Sequence, residues 1–387
     1  MKYYIIAGES SGDLHARHLM EALEAKDAKA EICYWYKPEL AYMGFVSVAI
    51  HLPEILRGME ECKKSIREFN PDRLILVDYP GFNLKIAAWF HKNFIQKNHT
   101  AHAGTPQVIY YIPPKIWAWK EGRIAQIRKY VDKVLSILPF EVEWYAKRYG
   151  HHVEYVGNPT LDEIDAFQKA LPEEEVIVWK QSLGISEEKV VALLPGSRKQ
   201  EIEQNLPLML NATKTVGKDY LYVIASAPNI STEFYNHVIG KAFKPEETEC
   251  RNKVVLAPCH GSKSSFMLMH CAHAALVTSG TATLETAIME VPQVVCYAMR
   301  CGKAVSWLRG KLLKVPYVSL VNLIAGREVV PELVAGDLTQ ESLDIALSNV
   351  IANEDFRTRQ IQGYREMMQL LGMPGAPQKA AEKILEN

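Results

Sequence analysis

Short apolar runs alternate with amphipathic stretches along almost the whole chain. Residues 3–7, 28–36, 73–77, 108–112 and 134–137 form one series of such runs. Residues 190–194, 220–225, 253–257, 273–277 and 292–299 form a second. Runs this short and this weakly broken by polar residues predict strands buried on both faces, as in a parallel sheet. Between them the apolar residues take helical spacing. Leu14, Leu19, Met20 and Leu23 mark a helix over 14–25, and Ile55, Leu56 and Met59 one over 52–69. Strand alternating with helix predicts an α/β fold.

The alternation pauses once. A charged start at 172–175 and a polar tract to Lys189 read as the passage between two domains, after which the pattern restarts. The expected division is an N-terminal α/β domain over 1–172, a C-terminal one over 173–345, and a helical tail over 346–387. The tail is expected to pack back on the N-terminal domain or on a partner subunit. A length of 387 residues accommodates this. There is no internal repeat and no low-complexity segment.

Composition narrows the setting. A net charge of −1 gives no global attraction to nucleic acid, so no nucleic-acid partner is expected and any charged role falls to local patches. The seven cysteines are scattered and lack C-x-x-C spacing, which predicts a reduced, cytoplasmic protein. No apolar run is long enough to span a bilayer, and the N-terminus lacks the pattern of a signal peptide. Two stretches suit a surface role. Residues 40–46 are unusually apolar after a turn, and residues 300–317 alternate Lys303, Arg309, Lys311 and Lys314 with Val305, Trp307, Leu308, Leu312 and Leu313. Core packing or a subunit interface explains either one as well as a membrane surface does.

The strongest chemical signal is at 190–203. An apolar run ends at Pro195-Gly196, Ser197 stands at a cap position, and Glu201 and Glu203 open a polar helical turn. A strand, tight turn and helix start expose backbone N–H groups at the positive end of the helix dipole, which favours an anion. Arg198 adds a planar, permanently charged fork suited to phosphate. The segment is not a P-loop. A plain capped turn with a surface arginine is the competing reading. A second strand and glycine turn follows at 278–285, with Ser279, Gly280, Thr281 and Ala282 at the turn and Glu285 one helical turn in. Two such turns suit a nucleotide diphosphate, with Glu285 on the ribose hydroxyls. At the other end of the chain, Gly8, Ser11, Gly12 and Asp13 form a glycine turn after the first strand. Asp78 closes the strand at 73–77, where a carboxylate faces the crevice used by ligands in such sheets. It is the expected general base; a helix cap is the alternative role, in which case the base is sought at Glu9. Trp117 and Trp119, beside Lys115 and Lys120, line a sugar or lipid cleft or belong to the core.

Together AGESSGD (7–13), LAYMGF (40–45), VDYPGFN (77–83), KIWAWK (115–120), LPFE (138–141), VGNP (156–159), LLPGSR (193–198), SGTATLE (279–285) and YVSLVNLIAGRE (317–328) resemble the lipid-A-disaccharide synthases, nearly end to end. The resemblance implies a GT-B fold of two doubly wound Rossmann-like domains facing a cleft. It implies an inverting, metal-independent transfer from UDP-2,3-diacylglucosamine to 2,3-diacylglucosamine 1-phosphate, releasing UDP and a β-1,6-linked disaccharide. No cofactor is expected, because the UDP-sugar is a substrate. Donor contacts are expected at Gly196, Ser197, Arg198, Ser279, Gly280, Thr281, Ala282, Glu285, Asn322 and Arg327. Acceptor contacts are expected at Gly8, Ser11, Gly12 and Asp13, and at Met43, Phe45, Asn83 and Trp117. The family further implies a peripheral protein on the cytoplasmic face of the inner membrane, and a homodimer with exchanged C-terminal segments. The chain departs from the family pattern at Ser10, at Pro113-Pro114 and between Tyr36 and Leu40, where a glycine-containing loop is absent. A nucleotide-sugar binder with a shortened acceptor domain and a UDP-sugar epimerase are the alternatives.

Overall fold

Two six-stranded parallel sheets, each in its own compact unit, carry the chain in a computed structural model. The structure describes residues 1–8, 10–37, 50–96, 104–216, 219–259, 262–298 and 316–386. Glu9, Met43 and Phe45, the apolar stretch at 40–46 and the basic stretch as far as residue 315 lie outside the described residues.

The first unit runs β1 (Lys2–Ala7), α1 (Ser10–Lys26), β2 (Glu31–Tyr36), α2 (Leu52–Phe69), β3 (Arg73–Val77), α3 (Pro80–Phe90) and β4 (Gln107–Tyr111). It continues with α4 (Ile124–Tyr130), β5 (Lys133–Ser136), α5 (Pro139–Tyr149) and β6 (Glu154–Tyr155). Strand order is β2-β1-β3-β4-β5-β6. Tyr4, Ile6, Leu74, Leu76 and Val108 face one layer of core, and Tyr3, Ile5, Ile75, Val77 and Ile109 the other. Burial on both faces is why these strands read as continuous apolar runs.

The second unit runs α6 (Pro159–Ala170), α7 (Glu173–Ser182), β7 (Lys189–Leu194), α8 (Lys199–Thr215), β8 (Tyr220–Ile224), α9 (Thr232–Ala242), α10 (Thr248–Asn252) and β9 (Val254–Leu256). Then come α11 (Ser262–Cys271), β10 (Ala272–Val277), α12 (Thr281–Ile288), β11 (Gln293–Tyr297), α13 (Leu320–Ala325), β12 (Glu332–Val334), α14 (Gln340–Ala352) and α15 (Glu354–Leu371). Strand order is β12-β11-β10-β7-β8-β9, the Rossmann order read from its far edge. The last helix, α16 (Ala376–Leu385), belongs to the first unit.

The units divide between Pro159 and Thr160, and the second extends to Gly372. This corrects the boundaries read at 172 and 345. The charged tract is helical, and widely spaced apolar residues around it (Ile164, Phe167, Trp179, Leu183 and Ile185) join the second core. Likewise α15 is not a free polar tail. Tyr364, Met367 and Leu371 are buried, and Gln360 exchanges hydrogen bonds with the Gln293 backbone at 2.6 and 3.0 Å. Within the tail, α16 is the part that belongs to the first unit. Ala380, Ala381 and Ile384 enter its core against Leu19 and Leu23, and Lys26 pairs with Glu382 at 2.8 Å. Gly157 has φ 94° and lies so close to Ala376 that an added Cβ would sit 3.2 Å from the alanine side chain.

Candidate active site

In each sheet the chain reverses its direction of strand addition once. In the first unit β2 is added on one side of β1 and β3 on the other; in the second, β8 and β9 lie on one side of β7 and β10 on the other. Ligands of such sheets bind outside the carboxyl ends of the strands at that reversal. The motifs meet there. Ala7 is in register with Val77 and Val77 with Tyr111, so Gly8, Asp78 and Ile112 leave the first sheet side by side. Leu194 is in register with Val277, which brings the turns after β7 and β10 together.

In the first unit the backbone is strained at this edge. Asp78, Tyr79 and Ile112 have φ of 45°, 47° and 61°, and a β-branched residue rarely enters that region. Hydrogen bonds hold the strain in place. Asn83 Nδ2 donates to the carbonyls of Asp78 at 2.6 Å and Val77 at 3.2 Å, and the Tyr110 hydroxyl donates to the Asp78 carbonyl at 2.7 Å. The Asp78 carboxyl is half-buried. Desolvation raises its pKa, opposed by Lys115, the Tyr79 N–H and Arg123. That is the environment of a base strengthened by burial. Gly8 is required because an added Cβ would sit 2.4 Å from the Tyr79 ring.

Three expected acceptor contacts are occupied internally. Asn83 is fully buried behind Asp78 and acts on its backbone. Asp13 accepts the Tyr34 hydroxyl at 2.6 Å and pairs with Arg17 at 3.1 Å. Trp117 is buried, with Nε1 donating to Glu141 at 2.6 Å, so of the two tryptophans it is Trp119 that faces solvent. The glycine turn read at 8–13 is shorter than expected, because α1 already starts at Ser10; Gly12 is buried and Ser11 exposed in its first turn. Burial pushes the Glu141 carboxyl from 4.5 up to about 7, with the Ser136 and Trp117 donors holding it back. The folded state therefore keeps a proton that the unfolded chain releases, and stability is expected to fall as pH rises from about 4.5 to about 7. Glu141→Gln stays neutral and is expected to flatten that part of the profile in urea titrations at stepped pH. An unchanged slope assigns it to other groups.

In the second unit β7 ends at Pro195-Gly196, and Gly196 has φ 113°. Arg198 is extended at the N-cap of α8. The cap is not Ser197, whose side chain is exposed, but Glu201 at the third helical position. Its carboxylate accepts from the N–H groups of Ser197 at 3.1 Å and Arg198 at 3.3 Å, and from Arg198 Nη1 at 3.1 Å. A negative group thus sits on the donors that the sequence points to for a diphosphate. A glutamate three residues past the N-cap was the available signal for this.

The neighbouring turn is held open by Gly280 at φ 152°, ψ −160°, a conformation reserved for glycine. Ser279 Oγ donates to the Val318 carbonyl at 3.0 Å, and Thr283 Oγ1 to the Gly280 carbonyl at 2.8 Å. Thr281 is exposed and Ala282 half-buried at the start of α12. Glu285 is half-buried, and burial with the nearby Glu163 carboxyl pushes it up to about 7. A carboxyl poised there can both donate and accept hydrogen bonds.

The segment 322–328 is not an open loop. Its first half is α13, closed by Gly326 in the left-handed region. Asn322 is fully buried and its amide is saturated. It donates to the Val330 carbonyl and Glu332 at 2.9 and 2.8 Å and accepts from the Val329 and Val330 N–H groups at 2.7 and 3.0 Å. It therefore pins the turn from behind and has nothing left for a donor sugar. Arg327 is exposed and paired with Glu366. Among the described residues no three His, Cys, Asp or Glu side chains converge as metal ligands.

The pattern of a family described as lipid-A-disaccharide synthetase matches residues 3–384. The chain belongs to that family. It is a glycosyltransferase of lipid A disaccharide formation. The lipid-A-disaccharide synthase of Myxococcus xanthus is 34% identical, covering 99% of this chain and 96% of its own. That of Syntrophus aciditrophicus is 33% identical, covering 98% and 96%. Among solved structures, a UDP-GlcNAc 2-epimerase of Neisseria meningitidis bound to UDP-GlcNAc superposes with a TM-score of 0.66 at 14% identity, over all of both chains. One of Methanocaldococcus jannaschii gives 0.61 at 14%, covering 96% and 99%. At such identity the likeness concerns the fold, which is GT-B-like. No helix among the described residues is long and apolar enough to cross a membrane.

Proposed function

We propose that this synthetase joins UDP-2,3-diacylglucosamine to 2,3-diacylglucosamine 1-phosphate. The observation that carries the reading is chemical division between the two sheet reversals: a desolvated carboxyl in one, and paired turns with Arg198 in the other. Asp78 takes the proton of the acceptor's 6′-hydroxyl as that oxygen bonds to the donor's anomeric carbon from the face opposite the diphosphate. The bond from that carbon to the diphosphate breaks, its electron pair leaves with UDP, and the anomeric centre inverts. Arg198 and the N-termini of α8 and α12 stabilise the growing charge. Glu285 holds the ribose hydroxyls. The transfer uses no metal and no cofactor beyond the sugar nucleotide.

Both lipids in this reaction are acylated, so the enzyme works at the cytoplasmic surface of the inner membrane, using the apolar stretch at 40–46 or the basic one at 300–317. A homodimer that exchanges C-terminal segments is part of the same reading. Incubation with both lipids on anionic vesicles, followed by analysis of nucleotide and lipid products, tests it. UDP and disaccharide 1-phosphate, formed by vesicle-bound protein, are expected. UDP release or epimerised UDP-sugar without any lipid acceptor would instead make the chain an epimerase, and binding without turnover would make it a nucleotide-sugar binder.

A further inference from the structure

The segment from β4 to α4 carries cations that the scheme above leaves unused. Its inner side is pinned: Ile116 and Trp117 are buried, and Trp117 is bonded to Glu141. Lys120, at φ 53°, turns the chain back. Lys115, Trp119 and Lys120 are consequently exposed, with the Lys120 ammonium 4.3 Å from the Trp119 ring centre. Arg123 is half-buried at the N-cap of α4, and α4 packs on α3, the helix that starts directly after Asp78 and Tyr79.

Lys115 and Arg123 both lie within Coulombic reach of the Asp78 carboxyl, and Arg123 also within reach of Tyr110, whose hydroxyl holds the Asp78 backbone. Neither touches it. Among the described residues, the side chains of Lys115 and Arg123 make no hydrogen bond and no ion pair; their backbones serve the turns of the segment, with the Arg123 N–H donating to the Lys120 carbonyl at 3.0 Å. The other nearby carboxylates are engaged elsewhere: Glu121 with Arg148 and Tyr149, Glu141 with Trp117 and Ser136. A guanidinium that has lost part of its hydration normally regains it as hydrogen bonds. Here burial disfavours the cation, and the Asp78 carboxyl lies within its Coulombic reach. The arrangement leaves net positive charge beside the base.

We propose that Arg123 and Lys115 form the subsite for the acceptor's phosphate, beside Asp78. This rests on the glycosyl transfer proposed above and assigns one substrate group within it. The guanidinium fork matches two phosphate oxygens and the ammonium supplies a point charge. A consequence concerns timing. The bound phosphate neutralises the two cations, so Asp78 becomes a stronger base only once the acceptor is in place.

The test measures binding of short-chain 2,3-diacylglucosamine with and without its 1-phosphate, by calorimetry, in protein silenced by Asp78→Asn. The parent is expected to prefer the phosphorylated sugar. Arg123→Gln should weaken that sugar by about 10- to 100-fold, leaving the unphosphorylated sugar and the UDP-sugar unchanged. Arg123→Lys should recover part of the loss. Lys115→Gln, at an exposed position where folding is not at stake, should show a smaller loss with the same selectivity. Equal weakening of both sugars, or loss of UDP-sugar binding, overturns the assignment. Should the parent form no disaccharide, the proposed function falls, while the preference between the two sugars still decides the subsite.

Discussion

Asp78→Asn is expected to lower turnover by about 10²–10⁴, the usual cost of losing a general base. The substitution is unusually clean at this position. Asp78 sits at φ 45°, where asparagine is at least as comfortable as aspartate, and its backbone is held by Asn83 and Tyr110 independently of the side chain. The sign of the accompanying pH effects follows from the direction of the shift. Desolvation raises the carboxyl in the folded state. Ionising it therefore costs stability as pH rises through the range between its unfolded and folded values, and the neutral amide escapes that cost. The variant should be as stable as the parent at neutral pH, or slightly more so. In the parent the rate should climb with pH as the carboxylate forms, and that limb should be missing from the residual activity of the variant. Donor affinity should hardly move. Near-normal turnover combined with lower stability would make Asp78 a structural cap.

The strands were legible because parallel sheets bury both faces, so 190–194 or 73–77 needs no context to be read. The places of Asp78 and Arg198 in the fold were legible for a related reason, since Asp78 follows the run at 73–77 directly and Arg198 stands in the turn after 190–194. The division of the chain was not, because the apolar anchors of α6 and α7 are spread through a charged solvent face. Tertiary pairing hid other parts. Trp117 and Trp119 are two residues apart, and only the partner Glu141, on α5, determines which of them turns inward. Asn322 looked like a polar loop residue, yet four hydrogen bonds to residues 329–332 convert it into an internal brace. The approach of Lys115 and Arg123 to Asp78 depends on β4 lying beside β3, and strand order is not written in local pattern.

Arg198→Ala is expected to lower the rate at saturating donor by about 10²–10³, as removal of one preorganised donor to a developing negative charge does elsewhere. Donor affinity should fall too, but less, because the diphosphate gains charge on the way to the transition state and the contact strengthens with it. Misfolding is a poor explanation for such a loss. Arg198 is exposed, its pairing with Glu201 at 3.1 Å is a surface contact, and such contacts contribute about 0–1 kcal/mol. Glu201 gives the experiment a further edge. Its carboxylate bonds the Ser197 and Arg198 N–H groups as well as the guanidinium, so an incoming diphosphate competes with it for the same donors. Without the arginine the backbone donors stay capped by Glu201, and the diphosphate must displace that cap with less to gain. Arg198→Lys restores charge but not the fork, so partial recovery is expected. Magnesium should rescue neither variant, and EDTA should leave the parent's rate unchanged; loss of the parent's activity in EDTA would sink the metal-free scheme. A rise in donor KM alone, with kcat untouched, would confine Arg198 to ground-state binding and leave the helix N-termini to carry the leaving group.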